Sequence, residues 1–91
     1  MINNAKGGTN MEITIYSTSI CAACETLTRW LDKNNIKYTK KITDTDPKIM
    51  DEFMAVNDGF VGVPFTVITD KKESVKIAGF DQKKFKKALS L

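Results

Sequence analysis

The stretch MEITIYSTSICAACETLTRWL, residues 11–31, decides the fold because the spacing of its apolar side chains changes part-way through. Residues 11–18 alternate isoleucine with polar side chains and are rich in β-branched residues, a pattern that predicts a strand. From Cys21 to about Asn35, apolar residues recur three and four apart, which predicts a helix with one buried face. They are Leu27, Trp30 and Leu31. A strand therefore leads straight into a helix, and Cys21 and Cys24 stand at the junction.

The rest of the chain continues this succession of strands and helices. A second strand is predicted at 36–43, and a second helix begins at Asp46-Pro47, an N-cap followed by proline at the first helical position. We assign to that helix an apolar stripe of Ile49, Met50, Phe53 and Met54. Strands at 64–69 and 74–78, joined by a turn at 70–73, predict a hairpin, and a last helix begins at about Asp81. The order β-α-β-α-β-β-α predicts an α/β fold, a four-stranded mixed sheet flanked by three helices.

Length and composition fit one globular domain. The 91 residues are 42% apolar and 27% charged, as in ordinary soluble proteins. Residues 1–10 are polar and rich in glycine and asparagine, so we expect a disordered lead before a domain at 11–91. No apolar run approaches the roughly 20 residues that span a bilayer, and the N-terminus lacks a secretory pattern. These features predict a cytoplasmic protein without a membrane partner.

The net charge of +3 is unevenly distributed. Residues 70–91 carry seven lysines and three carboxylates, a net +4, which leaves −1 on the rest of the chain. Such a segment suits either an acidic partner or a solvated helix face. Arginine and aromatic side chains are not interleaved with these lysines as a base-stacking surface requires, so we expect no nucleic-acid partner.

Two cysteines three positions apart are compatible with a metal clip, a structural staple or a redox couple. A zinc site usually takes four Cys or His ligands. This chain has two cysteines and no histidine, so a metal would have to be shared between two copies. A staple gains little, because a disulfide that closes so short a loop constrains the unfolded chain least. The redox interpretation uses the spacing directly, since Cys24 lies one helical turn after Cys21 and its sulfur is within reach.

The two cysteines are expected to differ in role. Unpaired N–H groups and the positive dipole end of a helix N-terminus stabilise a thiolate, and the thiolate is the nucleophile in disulfide exchange. Cys21 gains most from this position, so we assign it the attack on a disulfide. Cys24 then resolves the mixed disulfide. The alternative is a dimer that holds an iron–sulfur cluster or zinc through both cysteine pairs.

Three motifs make the chain similar to the glutaredoxin-like branch of the thioredoxin fold, over about residues 11–90. YSTSICAAC (16–24) resembles the family's strand exit and active site. GVPF (62–65) resembles its Thr-Val-Pro turn, and AGFDQKKF (78–85) its Gly-Gly-x-Asp segment before the final helix. The resemblance implies a dithiol disulfide oxidoreductase with a cis Val63-Pro64 bond. It also implies that glutathione or a substrate segment pairs with the backbone of Val63 as an added strand.

The resemblance implies further site residues at the start of the last helix. In members that use glutathione, backbone N–H groups there and an Asp side chain hold the γ-glutamyl end of that molecule. The matching positions in this sequence are Gly79, Phe80 and Asp81. Asp81 is equally compatible with a plain N-cap, and the two roles do not exclude each other.

The active site is Cys-Ala-Ala-Cys where typical members of the family have Cys-Pro-Tyr-Cys, and the following departures each weaken the case for tight glutathione binding. Ala23 replaces a tyrosine, Thr18 a lysine, Gly62 a threonine and Ala78 a glycine. Segment 78–85 also resembles part of the NrdH-type redoxins, the electron donors of ribonucleotide reductase, although Asp81 stands where those have arginine.

The resemblance leaves two candidate sources of electrons and one class of substrate. The expected reductant is glutathione or thioredoxin reductase, with NADPH as the ultimate donor, because the NrdH-type redoxins are reduced by thioredoxin reductase. The expected partners are this reductant and a disulfide-containing protein substrate. We expect no bound cofactor and no metal, and a monomer.

Overall fold

The computed structural model describes residues 11–70 and 73–91, and within them the predicted element order is confirmed. The elements are β1 Glu12–Ser17, α1 Ala22–Lys33, β2 Thr39–Ile42, α2 Pro47–Val56, β3 Phe65–Thr69, β4 Ser74–Ala78 and α3 Gln82–Leu89. The predicted lead at 1–10 and the middle of the predicted turn at 70–73 lie outside the described residues. No helix in the described part of the chain is long and apolar enough to cross a membrane.

The strands form one mixed sheet in the order β2-β1-β3-β4. β1 runs parallel to β2 and antiparallel to β3, and β3 pairs antiparallel with β4 as the predicted hairpin. Phe65, at the start of β3, lies opposite both Tyr16 of β1 and Ala78 of β4. The register therefore brings four connecting segments to one end of the sheet, which we call the redox end: 18–21, 43–46, 60–64 and 79–81.

Alternation along β1 sends neighbouring side chains to opposite faces of the sheet. On one face Ile15 belongs to a core formed with α1 and α3, whose buried members are Ile13, Ile15, Leu27, Leu31, Ile68, Ile77 and Phe85. On the other face Tyr16 packs with Phe53 of α2 and with Phe65. Two helices thus cover one face and one covers the other. Each fully buried aliphatic or aromatic side chain contributes about 1.5–3 kcal/mol.

The second strand is shorter than the predicted 36–43. Asn35 adopts a left-handed conformation (φ 59°), and the Ile36 N–H donates to the Leu31 carbonyl oxygen at 2.9 Å. The backbone at 35–36 therefore closes α1 and is not available to the sheet. The ladder with β1 begins only where Thr39 lies opposite Thr14. Ile36 and Tyr38 still pack against the core.

The predicted apolar stripe of α2 is wrong for its two methionines. Ile49, Phe53 and Val56 face the sheet, a spacing of four and three that defines one side of a helix. Met50 is 36% exposed and Met54 53% exposed. Each follows an inward-facing residue by one position, a turn of about 100°. Only one side of α2 has a sheet to cover, so this turn leaves both methionines at the surface.

Candidate redox site

Cys21 and Cys24 occupy the start of α1, as the change of period predicts. Cys21 is the N-cap, with an extended backbone, and its sulfur accepts a hydrogen bond from the Cys24 N–H at 3.2 Å. A side chain in this position takes one of the helix N–H groups that lack an intrahelical partner. The structure holds the two residues as a disulfide. Cys24 is completely buried, whereas Cys21 is partly exposed.

An open groove of about 410 Å³ gives access to Cys21 from one side. Its lining follows one face of α1 and the segment before it, and consists of Ser19, Ile20, Cys21, Ala22, Glu25, Thr26 and Arg29. Ile20, the residue before the first cysteine, is 92% exposed. A disulfide in a second molecule can therefore approach Cys21 directly, while Cys24 lies behind it.

The Val63-Pro64 bond is cis, which confirms the form that the family resemblance implies. Pro64 is buried, and its carbonyl oxygen accepts the Gly79 N–H at 2.8 Å, so the two segments are joined at the redox end. Gly79 has a positive φ of 74°, which glycine adopts without steric cost. Among the described residues, no backbone group bonds to the N–H or carbonyl oxygen of Val63. Pairing of a further strand with the Val63 backbone stays a prediction.

The segment before α3 has a structural role at two of the three positions that the resemblance singles out, Phe80 and Asp81. Asp81 is the N-cap of α3, and its carboxylate accepts the Lys84 N–H at 3.3 Å. The Phe80 ring lies 5.7 Å from that of Trp30 and 6.0 Å from that of Phe85. Trp30 is thus a packing residue, as predicted. Contact of glutathione with the backbone at Gly79, Phe80 and Asp81 stays a prediction.

Two departures from the family pattern have local structural counterparts. The Phe60 ring lies over Gly62, where an added Cβ would come within 3.0 Å of its tip. Phe60 stacks on Phe65 at 5.9 Å and remains 41% exposed. At the other position the Thr18 hydroxyl donates to the carbonyl oxygen of Ile20 at 3.1 Å. The Thr18 side chain therefore makes a hydrogen bond within the loop that precedes Cys21.

Sequence reasoning missed the residues that connect this loop to β2. Thr43 bonds to Ser17, 26 residues away, and Asp44 bonds to Ser19, 25 residues away. The run TDTD at 43–46 indicates only that helix caps are available, and Asp46 alone caps α2, by accepting the Lys48 N–H at 3.0 Å. Pro47 marks Asp46 as the cap, but nothing in the local pattern predicts that Asp44 binds Ser19.

A second missed feature ties α2 to the sheet beside the redox end. The Tyr16 hydroxyl donates to Glu52, and the Lys41 ammonium donates to the same carboxylate oxygen at 2.6 Å. Burial, and then the neighbouring Glu52 carboxylate, raises the pKa of Tyr16 well above its ordinary value. The hydrogen bonds from Lys41 and Tyr16 lower the pKa of Glu52.

The comparisons with known proteins agree with this geometry. Residues 13–72 match the family model Glutaredoxin. The chain belongs to the glutaredoxin family. Comparison with curated proteins finds no match. Membership and the Cys21–Cys24 pair together support a thiol oxidoreductase.

Solved structures share the fold at low sequence identity. A glutaredoxin from Methanosarcina mazei is similar with a TM-score of 0.70 at 22% identity, over 88% of this chain and 79% of that one. The glutaredoxin grx-1 from Archaeoglobus fulgidus has a TM-score of 0.65 at 20% identity, over 90% of this chain and 88% of that one. A mutant of the thioredoxin-like protein BC3987 has a TM-score of 0.71 at 24% identity, over 87% of this chain and 95% of that one. These likenesses confirm the thioredoxin-like fold.

Proposed function

We propose that this glutaredoxin-family protein reduces disulfides in other proteins through its Cys-Ala-Ala-Cys dithiol. The observation that carries the proposal is the unequal accessibility of the two sulfurs. Cys21 caps α1 beside an open groove, whereas Cys24 is completely buried one turn later. This difference supports Cys21 as the sulfur that meets the substrate and Cys24 as the sulfur that reacts only with Cys21.

The reaction follows from this arrangement in two exchanges. The Cys21 thiolate attacks one sulfur of the substrate disulfide, which forms a mixed disulfide and releases the other substrate sulfur as a thiolate. The Cys24 thiolate then attacks the Cys21 sulfur, which releases the second substrate sulfur and forms the Cys21–Cys24 disulfide. Two electrons pass to the substrate. The disulfide present in the structure corresponds to the oxidised product of this cycle.

The backbone of Val63, which has no backbone partner within the described part of the chain, supports a way in which a substrate would bind. A substrate segment that adds a strand there satisfies the Val63 N–H and carbonyl oxygen. It also lies at the same end of the sheet as Cys21, because β1 ends where β3 begins. Gly79, Phe80 and Asp81 stand beside this position, since the Gly79 N–H bonds to Pro64.

A pair of cysteine variants tests the mechanism on a defined protein disulfide such as that of insulin. Cys21→Ser is expected to abolish reduction, because it removes the attacking sulfur. Cys24→Ser is expected to accumulate a mixed disulfide through Cys21, visible by mass spectrometry and absent from the Cys21→Ser variant. Full reductase activity in Cys21→Ser would contradict the mechanism. A visible absorption spectrum and metal analysis of anaerobically purified protein test the cluster-binding dimer.

The source of electrons is proposed to be glutathione or thioredoxin reductase, with NADPH as the ultimate donor in the reducing cytoplasm. One coupled assay distinguishes the two. Wild-type protein and substrate are supplied with NADPH and either glutathione plus glutathione reductase or thioredoxin reductase alone. The alanine at 23 and the occupied hydroxyl of Thr18 support weak use of glutathione. The resemblance to NrdH-type redoxins supports ribonucleotide reductase as a protein substrate to test.

A further inference from the structure

Four hydrogen bonds join the exit of β2 to the chain that leads into Cys21. The Thr43 N–H donates to the Ser17 carbonyl oxygen at 2.8 Å, and the Thr43 hydroxyl donates to the same oxygen at 3.1 Å. One residue later, the Asp44 carboxylate accepts the Ser19 N–H at 3.0 Å and the Ser19 hydroxyl at 2.7 Å. We call Thr43 and Asp44 the clasp.

The clasp has a buried half and an exposed half. Thr43 is 3% exposed and extends the parallel pairing of β2 with β1 beyond the point where Ile42 lies opposite Ser17. Asp44 is exposed, but its Oδ1 accepts the Ser19 N–H and its Oδ2 accepts the Ser19 hydroxyl. Hydrogen bonds to an ionised carboxylate are shorter and stronger than neutral ones. Two of them, from the backbone and the side chain of Ser19, hold that residue in one orientation.

The segment held by the clasp is the one that places the attacking sulfur. Ser19 stands two residues before Cys21, and Ile20 between them is 92% exposed, so core packing does not fix this stretch. The Thr18 hydroxyl bonds to the carbonyl oxygen of Ile20, within the loop itself. Asp44 therefore supplies the contact that ties the exposed part of the loop to a distant element.

We propose that Asp44 is a positioning residue for disulfide exchange at Cys21, with Thr43 anchoring the clasp to the sheet. The inference rests on the proposed redox function. Reaction between two bound groups is fast only when their atoms are held near the attack geometry, and displacement by about 1 Å has a large effect on rate. Without the clasp, the loop is less restricted and the Cys21 sulfur occupies more positions. The residues of α1 that follow Cys21 stay in place.

The test measures one exchange step on the full-length protein. The dithiol form is mixed with a chromogenic small disulfide, and the second-order rate constant is measured in a stopped-flow instrument. Asp44→Ala removes both hydrogen bonds to Ser19 and is expected to react about three- to tenfold more slowly. Asp44→Asn can still accept the Ser19 N–H and donate to its hydroxyl, so it is expected to stay within about twofold of wild type. Thr45→Ala, an exposed neighbour outside the clasp, is the matched control and is expected to react as wild type.

The outcomes separate positioning from other causes. If Asp44→Ala reacts at the wild-type rate, or if Asp44→Asn is as slow as Asp44→Ala, the proposal is overturned, because the carboxylate then acts through its charge or not at all. Thr43→Val and Thr43→Ser form a second pair, because Thr43→Val exchanges the hydroxyl for a methyl group, whereas Thr43→Ser keeps the hydroxyl and loses the methyl group. They test the proposal if Asp44→Ala does not fold: Thr43→Val must react more slowly than Thr43→Ser, and equal rates overturn the proposal. Wild-type protein that fails to react with any disulfide instead contradicts the proposed function.

Discussion

Removing the Glu52 carboxylate is expected to destabilise the protein chiefly through the Tyr16 hydroxyl that it leaves without an acceptor. Tyr16 is 4% exposed and donates to Glu52. A buried donor without a partner costs about 1–3 kcal/mol. The ion pair with Lys41 adds at most about 1 kcal/mol, because its side chains are 30% and 39% exposed. We therefore expect Glu52→Ala to lower the free energy of unfolding by about 2 kcal/mol, which corresponds to a fall in Tm of about 8–16 °C.

Urea unfolding followed by the fluorescence of Trp30, the single tryptophan, measures this loss. The decisive comparison is the double variant Tyr16→Phe/Glu52→Ala, which removes the stranded hydroxyl together with its acceptor. It is expected to be about 1 kcal/mol more stable than Glu52→Ala alone. Asp51→Ala, an exposed carboxylate on the same helix, is the matched control and is expected to change stability by less than about 0.5 kcal/mol. A double variant no more stable than Glu52→Ala would refute the reasoning.

Three further effects are expected. The contribution of Glu52 is present above about pH 4.5 and is lost as pH falls through its lowered folded pKa, whereas that of Tyr16 is lost as pH rises above about 10. Urea midpoints measured across pH check both expectations. If the midpoint of Glu52→Gln falls in acid just as that of wild type does, the expectation for Glu52 is contradicted. Asp81→Ala is expected to lose about 1 kcal/mol of α3 capping in thermal unfolding while Asp81→Asn keeps most of it, and equal losses would count against a cap. Gly62→Thr is expected to displace the Phe60 ring and lose about 1 kcal/mol of stacking, and an equal loss in a Phe60→Ala background would show another cause.

Prediction failed at the stripe of α2, where the outcome depends on contacts distant in sequence, and at the start of β2, where the local end of α1 intervenes. The stripe of α2 is correct at Ile49 and Phe53 and wrong at Met50 and Met54. Periodicity shows that a helix has an apolar side, but how wide that side must be depends on the sheet that covers it. The strand predicted from 36 begins at Thr39 because the left-handed Asn35 first closes α1.

The sequence by itself determined where the strand gives way to the helix, and therefore that Cys21 caps α1 with Cys24 one turn inside it. That follows from local spacing, since the periods of a strand and a helix differ. Only the tertiary structure decided what holds this junction. The register of β1 against β2 places Asp44 beside Ser19, 25 residues away. The assembled fold also forms the groove beside Cys21, and among the described residues it leaves the backbone of Val63 without a backbone partner. A side-chain pattern indicates where a strand or helix lies, but it indicates far less directly which strands pair. These contacts therefore appear only once the sheet is assembled.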